Sequence, residues 1–193
     1  MLCCRSKKKD VDGGFYSKLW KAFIRPPRSM YTIEDMGPRK FLIDGKKVYR
    51  FDLELLNSRG QKVKCSYFEI QEVKNERHCV VYVHTHSGSR LESLTCLIPV
   101  LMNGFNLFAI DMTGSGHSDG EFVSFGIFEK EDVSCAIDYV RDKIGIKTIT
   151  LWGRSMGAVT ILMYASVDSR VNCIVLDSPF SNLKNLCKEV ALR

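Results

Sequence analysis

Two serines stand in the pattern Gly-x-Ser-x-Gly: Ser155 in Gly153-Arg154-Ser155-Met156-Gly157, and Ser118 in Gly116-His117-Ser118-Asp119-Gly120. A serine hydroxyl attacks a carbonyl well only when a base takes its proton and donors receive the oxyanion. The pattern alone is weak, so the flanking residues decide. Ser155 follows an apolar run (TITLW) and opens another (MGAVTILMYA), the strand–turn–helix setting that a nucleophile elbow needs. Ser118 lies mid-loop with no helix starting there, and is read as loop architecture.

The oxyanion donors follow from the same geometry. One is the backbone N–H of the residue after the serine, here Met156. The other comes from the loop after an earlier strand, the place of His84-Thr85-His86-Ser87-Gly88-Ser89, where His86 is expected to contribute its backbone N–H. His84 is read as a loop hydrogen-bonding residue. The order in such a triad is serine, acid, histidine. His78, His84, His86 and His117 all precede Ser155, so the base is expected beyond Arg193. Asp177, in IVLDSPF, is the acid candidate within the chain; its other reading is a loop residue beginning an Asp-Ser-Pro turn.

The elements that must hold these residues are legible in the hydropathy pattern. Residues 15–24 (FYSKLWKAFI) have helical spacing, stopped by Pro26-Pro27. Residues 46–56 and 61–70 alternate apolar with polar around Asn57-Ser58-Arg59-Gly60, which predicts a β-hairpin at a sheet edge with one wet face. From residue 79 the strands become continuous apolar runs: 79–83, 105–110, 147–152 and 171–176. Helical patterns fill the gaps at 91–102, 129–144 and 155–165, with another from about residue 181. The expectation is an α/β fold: a mostly parallel sheet of six strands with helices on both faces, preceded by an N-terminal antiparallel hairpin. Its site belongs at the C-terminal ends of the strands.

Composition places the rest. The 193 residues are 45% hydrophobic and 26% charged, ordinary for one globular domain. Residues 1–50 carry 13 Lys and Arg against 5 Asp and Glu, whereas residues 51–193 carry 15 against 17. The basic character thus belongs to a tail and short amphipathic helix, residues 1–38, and the domain over 39–193 is near neutral. The run Arg5, Lys7, Lys8, Lys9 suits an anionic membrane surface through residues 1–9 or a solvated tail, and no nucleic-acid motif accompanies it. Cys3 and Cys4 beside it are candidates for reversible palmitoylation, or idle thiols, while Leu2 excludes N-myristoylation. The eight cysteines form no CxxC pair, so no metal site and no disulfide framework is expected. Without a signal peptide or a membrane-length apolar run, a cytoplasmic setting follows, peripheral to a membrane if the two cysteines are acylated.

Taken together, the strand, the His-x-x loop, GFNLFAIDMTGSGHSDG and GRSMG resemble the α/β-hydrolase superfamily. Within it the chain is most similar to the serine-aminopeptidase-like and Bem46-like group, which includes membrane-associated depalmitoylases. The likeness covers about residues 40–193. It implies hydrolysis of an ester, thioester or amide through an acyl-enzyme on Ser155, with no cofactor. The substrate would be a small molecule or an acylated protein. It also implies that Asp111, Gly114 and Gly116 shape a loop near the site. Two features depart from the group. Thr85 stands where a glycine is usual, and the fold's last two of eight strands, with the histidine, are missing. The chain by itself is therefore expected to be inactive or nearly so. The alternative is a non-catalytic, membrane-associated binding protein of the same fold.

Overall fold

The computed structural model describes residues 21, 23–71 and 78–191. The basic run, Cys3, Cys4 and most of the helix expected over 15–24 lie outside the described residues; Lys21, Phe23 and Ile24 are helical. Seven strands form one sheet: β1 (Lys40–Ile43), β2 (Lys46–Leu56), β3 (Lys62–Ile70), β4 (His78–Val83), β5 (Phe105–Ile110), β6 (Thr148–Arg154) and β7 (Cys173–Asp177). The helices are α1 (Leu94–Met102), α2 (Glu129–Asp142), α3 (Met156–Ala165) and α4 (Leu183–Ala191).

The strand order is β1-β2-β3-β5-β4-β6-β7. The first four neighbours pair antiparallel, and β5, β4, β6 and β7 pair parallel. The expected hairpin is β2–β3. The described residues hold one strand more than the six counted from the sequence. The extra strand, β1, is only four residues long, and it folds back on β2 through a turn at Asp44 and Gly45, both at positive φ. The run from Cys65 to Phe68 of β3 is buried on both faces, against the single wet face expected, because Cys65 and Tyr67 join a core with Val133 and Ile137 of α2 while Phe68 joins one with Tyr31 and Met36.

Helices cover both faces, and β4 shows how. Cys79, Val81 and Val83 point into a core with Val133, Ala136, Ile137 and Val140 of α2 and Ile161 of α3. Val80 and Tyr82 point the other way, onto Cys96, Leu97, Val100 and Leu101 of α1. This two-sided burial is why β4 reads as an unbroken apolar run. Residues set apart at the N-terminal side of the 38/39 boundary also join this body: Tyr31 and Met36 are buried in the α1-side core.

The winding direction reverses at β4, which leads to β5 on one side and lies beside β6 on the other. In open α/β sheets the crevice at such a reversal, outside the C-terminal strand ends, is where ligands bind. The loops after β4 and β6 flank that crevice.

Candidate active site

Ser155 sits between the last residue of β6, Arg154, and the first of α3, Met156. Its backbone is at φ 51°, ψ −113°, and its side chain makes no capping hydrogen bond. A non-glycine residue there costs about 1–3 kcal/mol, which the surroundings must offset. The two glycines allow it. A Cβ on Gly153 would lie 2.4 Å from the Gly157 backbone, and a Cβ on Gly157 would lie 2.1 Å from the Val83 carbonyl oxygen. Strand, turn and helix thus touch backbone to backbone. The turn is held further by the Ser155 N–H, which donates to the Asp177 carbonyl at 2.8 Å. α3 is apolar nearly all round because Met156, Gly157, Ala158, Val159, Thr160, Ile161 and Tyr164 are all buried.

The β4 loop meets this turn through register. Val83 pairs with Gly153, so His84 emerges level with the end of β6. His84 is fully buried. Its Nε2 accepts the Met112 N–H at 3.0 Å, so Nδ1 carries the hydrogen and donates to the Thr85 carbonyl at 2.7 Å. That carbonyl and the His86 N–H belong to one planar trans peptide and point in opposite directions. His84 therefore fixes the peptide that aims the His86 N–H. Among the described residues, neither the His86 N–H nor the Met156 N–H meets an acceptor. The first N–H groups of a helix have no partner within it, which leaves that of Met156 free for a ligand.

Thr85, the departure from glycine, fits without strain. Its φ is not positive, its N–H donates to Glu92 Oε2 at 3.1 Å, and its hydroxyl donates to Glu92 Oε1 at 2.5 Å. Glu92 thus fastens the loop from beneath.

Asp177 ends β7 beside the elbow. Its carboxylate pairs with Arg154 at 3.2 Å and accepts the Ser178 hydroxyl at 2.8 Å. No imidazole of the described residues reaches it or Ser155. His78 stands at the far end of β4 against Phe105, His117 stacks on Tyr31, and His86 stacks on Phe125.

Ser118 is 3% exposed and fully committed: its hydroxyl donates to the Asp111 carbonyl at 2.6 Å and accepts the Lys64 N–H at 2.8 Å. Asp111 is the hub of that loop, accepting from the Tyr31 hydroxyl, the Arg90 N–H and the His117 N–H. A Cβ on Gly116 would lie 2.3 Å from the Asp111 carboxyl carbon, which explains that glycine.

Sequence reasoning missed Asp132. It is fully buried and accepts from Asn57, from the Thr113 N–H and from the Thr113 hydroxyl, tying α2 to the β2–β3 turn and to the loop after β5. Burial pushes its carboxyl above the usual range. The signal was present as a charge beside Val133 on the apolar face of a helix. Glu92 gave no such signal. The described residues include no cluster of His, Cys, Asp and Glu able to hold a metal ion, and no helix long and apolar enough to cross a membrane. Cys65, Cys79 and Cys96 are buried among apolar side chains.

Residues 79–189 match the family model of the alpha/beta hydrolase fold. The human protein ABHD12B is 29% identical over 134 residues, 65% of this chain and 36% of its own length. Protein bem46 of Schizosaccharomyces pombe is 29% identical over 186 residues, 92% of this chain and 59% of its own. The chain therefore spans between a third and three-fifths of these curated relatives. Among solved structures, the Pyrococcus furiosus esterase Pf2001 superposes with a TM-score of 0.71 at 22% identity, over 89% of this chain and 64% of that one.

Proposed function

The chain belongs to the alpha/beta hydrolase fold family, and from that premise we propose that Ser155 is the nucleophile of a serine hydrolase acting on an ester, thioester or amide. The observation that carries the proposal is the backbone of Ser155: φ 51° on a turn packed so tightly that both flanking glycines are obligatory. Such strain persists where a function requires the geometry.

In this reading the Ser155 Oγ attacks the acyl carbon while a base takes its proton. The oxyanion of the tetrahedral adduct is received by the Met156 and His86 N–H groups. Collapse expels the alcohol, thiol or amine, and water then cleaves the acyl-enzyme. The protein supplies nucleophile and donors; no cofactor is needed. The base is not among the four histidines, since none stands at Ser155. The acid must be a carboxylate free to face an imidazole, and Asp177 meets that condition only by releasing Arg154. Turnover by these residues alone is therefore low. Substrates of this reading are small acyl compounds or acylated proteins, with attachment to the cytosolic face of a membrane through Cys3 and Cys4.

Imidazole in solution can stand in for the missing base. A fluorophosphonate probe should phosphonylate Ser155, forming the Oγ–P bond, expelling fluoride and passing the proton to imidazole. The adduct, located by peptide mass, should form faster with rising imidazole and vanish in Ser155→Ala. A second reading is a binding protein of the same fold that performs no chemistry at Ser155. A folded chain with no Ser155 adduct at any imidazole concentration would establish that reading and remove the first.

A further inference from the structure

Residues 23–31 precede the stretch that matches the family, 79–189, yet they touch the loops after β4 and β5. The Ile24 carbonyl accepts the Val123 N–H at 2.8 Å. The Phe23 carbonyl meets His86 Nε2, and since a carbonyl only accepts, Nε2 carries the hydrogen. The His86 ring is also stacked on Phe125, with centroids 4.8 Å apart and planes 16° from parallel. Phe125 is itself held at φ 54°, a conformation that a bulky side chain adopts only when its surroundings impose it.

Arg28 fastens the loop after β5. Its guanidinium donates to the carbonyls of Gly116 at 2.9 Å and Ser118 at 2.7 Å, and it also reaches those of Ser115 and Gly120. One planar fork gathers four carbonyls of the tight loop, and of these only that of Ser115 also accepts a loop N–H, from Ser118. Three residues further on, the Tyr31 hydroxyl donates to Asp111 at 2.6 Å, and Asp111 in turn holds the Arg90 N–H at 2.7 Å. The short segment is therefore anchored both to the loop after β4 and to the loop after β5.

We propose that residues 23–31 form a strap that sets the oxyanion hole, with Arg28 and the His86 imidazole as positioning residues. The inference rests on the reading of Ser155 as nucleophile. His84 fixes one side of the Thr85–His86 peptide through its carbonyl; the strap fixes the other through the His86 ring. Without the strap the ring keeps only its stack on Phe125, and the Thr85–His86 peptide, still held by His84, loses the second of its two restraints, so the N–H is aimed less closely. An oxyanion donor acts only when it is already pointed at the developing charge.

The test is the kinetics of Ser155 labelling by a fluorophosphonate with imidazole present, separating the inactivation rate from the binding constant. Folding is checked by circular dichroism. Arg28→Ala should lower the inactivation rate about tenfold, the scale of a small misplacement of a catalytic group, with the binding constant unchanged. Arg28→Lys, which keeps the charge and some donors, should recover part of the rate. His86→Leu, which keeps bulk and loses the donor to Phe23, should be slowed to the same extent, and it decides the matter if Arg28→Ala does not fold. Parental inactivation rates in a folded Arg28→Ala or His86→Leu protein overturn the strap alone, as does a loss confined to the binding constant. Absence of a Ser155 adduct in the parent removes the hydrolase reading and the strap's role with it.

Discussion

Gly157 shows how one missing side chain sets the backbone of its neighbour. Its Cα lies against the carbonyls of Val83 and His84, so the helix that follows Ser155 is pressed onto β4 and the start of its loop. Because the obstructing atoms are backbone, an added methyl cannot be accommodated by a rotamer change. Gly157→Ala should cost about 1–3 kcal/mol, the range for an overpacked interior, seen as a lower melting temperature. It should also lose imidazole-dependent labelling of Ser155. A variant that melts and labels like the parent would refute the close approach. Ser155 and its glycines were readable from the sequence because their constraint is local: strand, turn and helix are consecutive. The partners of Asp132 and Arg28 were not, because they are 75 and 90 residues distant, and even the charge of Asp132 on an apolar helix face does not say what it meets.

Among the elements, α3 carries the elbow and is tied down at its far end. Just past it, Asp168 accepts from Arg170 at 2.6 and 2.9 Å and also receives the Tyr164 hydroxyl, while Arg170 reaches Asp138 of α2 at 2.5 Å. The Arg170 guanidinium holds the Asp168 carboxyl well below the usual carboxylate range. For a depressed carboxyl, the stability it contributes is complete above its unfolded value, near 4, and is lost as the pH falls below that. The network is partly exposed, so its worth at neutral pH is about 1 kcal/mol. Asp168→Asn should therefore melt a few degrees below the parent at pH 7, and the gap should narrow between pH 5 and pH 3. A gap that stays constant with pH would show that the charge is not what matters. The alternating β2, the apolar β4 and β5, and α3 were all legible from period and length. β1 escaped notice because four residues with mixed exposure carry too little pattern to distinguish a strand from a turn.

At the scale of the whole sheet, β7 carries the prediction for the 193-residue chain. Among the described residues it has a neighbour on one side only, and its outer edge offers unpaired backbone groups. Beside it on the α1 face runs an apolar trough of about 250 Å³, lined by Val80, Pro99, Val100, Phe105, Trp152 and Val175 among others. Val175 is 37% exposed, unusual for the middle of a strand in a parallel sheet. An open edge next to an uncovered apolar face favours self-association. Sedimentation of the 193-residue chain should show mass rising with concentration, and Val175→Lys should shift it toward monomer. A parent that stays monomeric throughout would contradict this reading.

Period, length and glycine placement by themselves determined the fold class, the parallel core, the position of Ser155 on its turn and the loop that faces it. Each is written in residues close together in the chain, where hydropathy and backbone freedom act directly. Tertiary structure alone decided which groups surround that serine. It engaged Asp177 with Arg154, turned the His84 ring into a clamp on the neighbouring peptide, and brought residues 23–31 across the loops. Those outcomes depend on which distant backbones pack together, and a one-dimensional pattern does not carry that information.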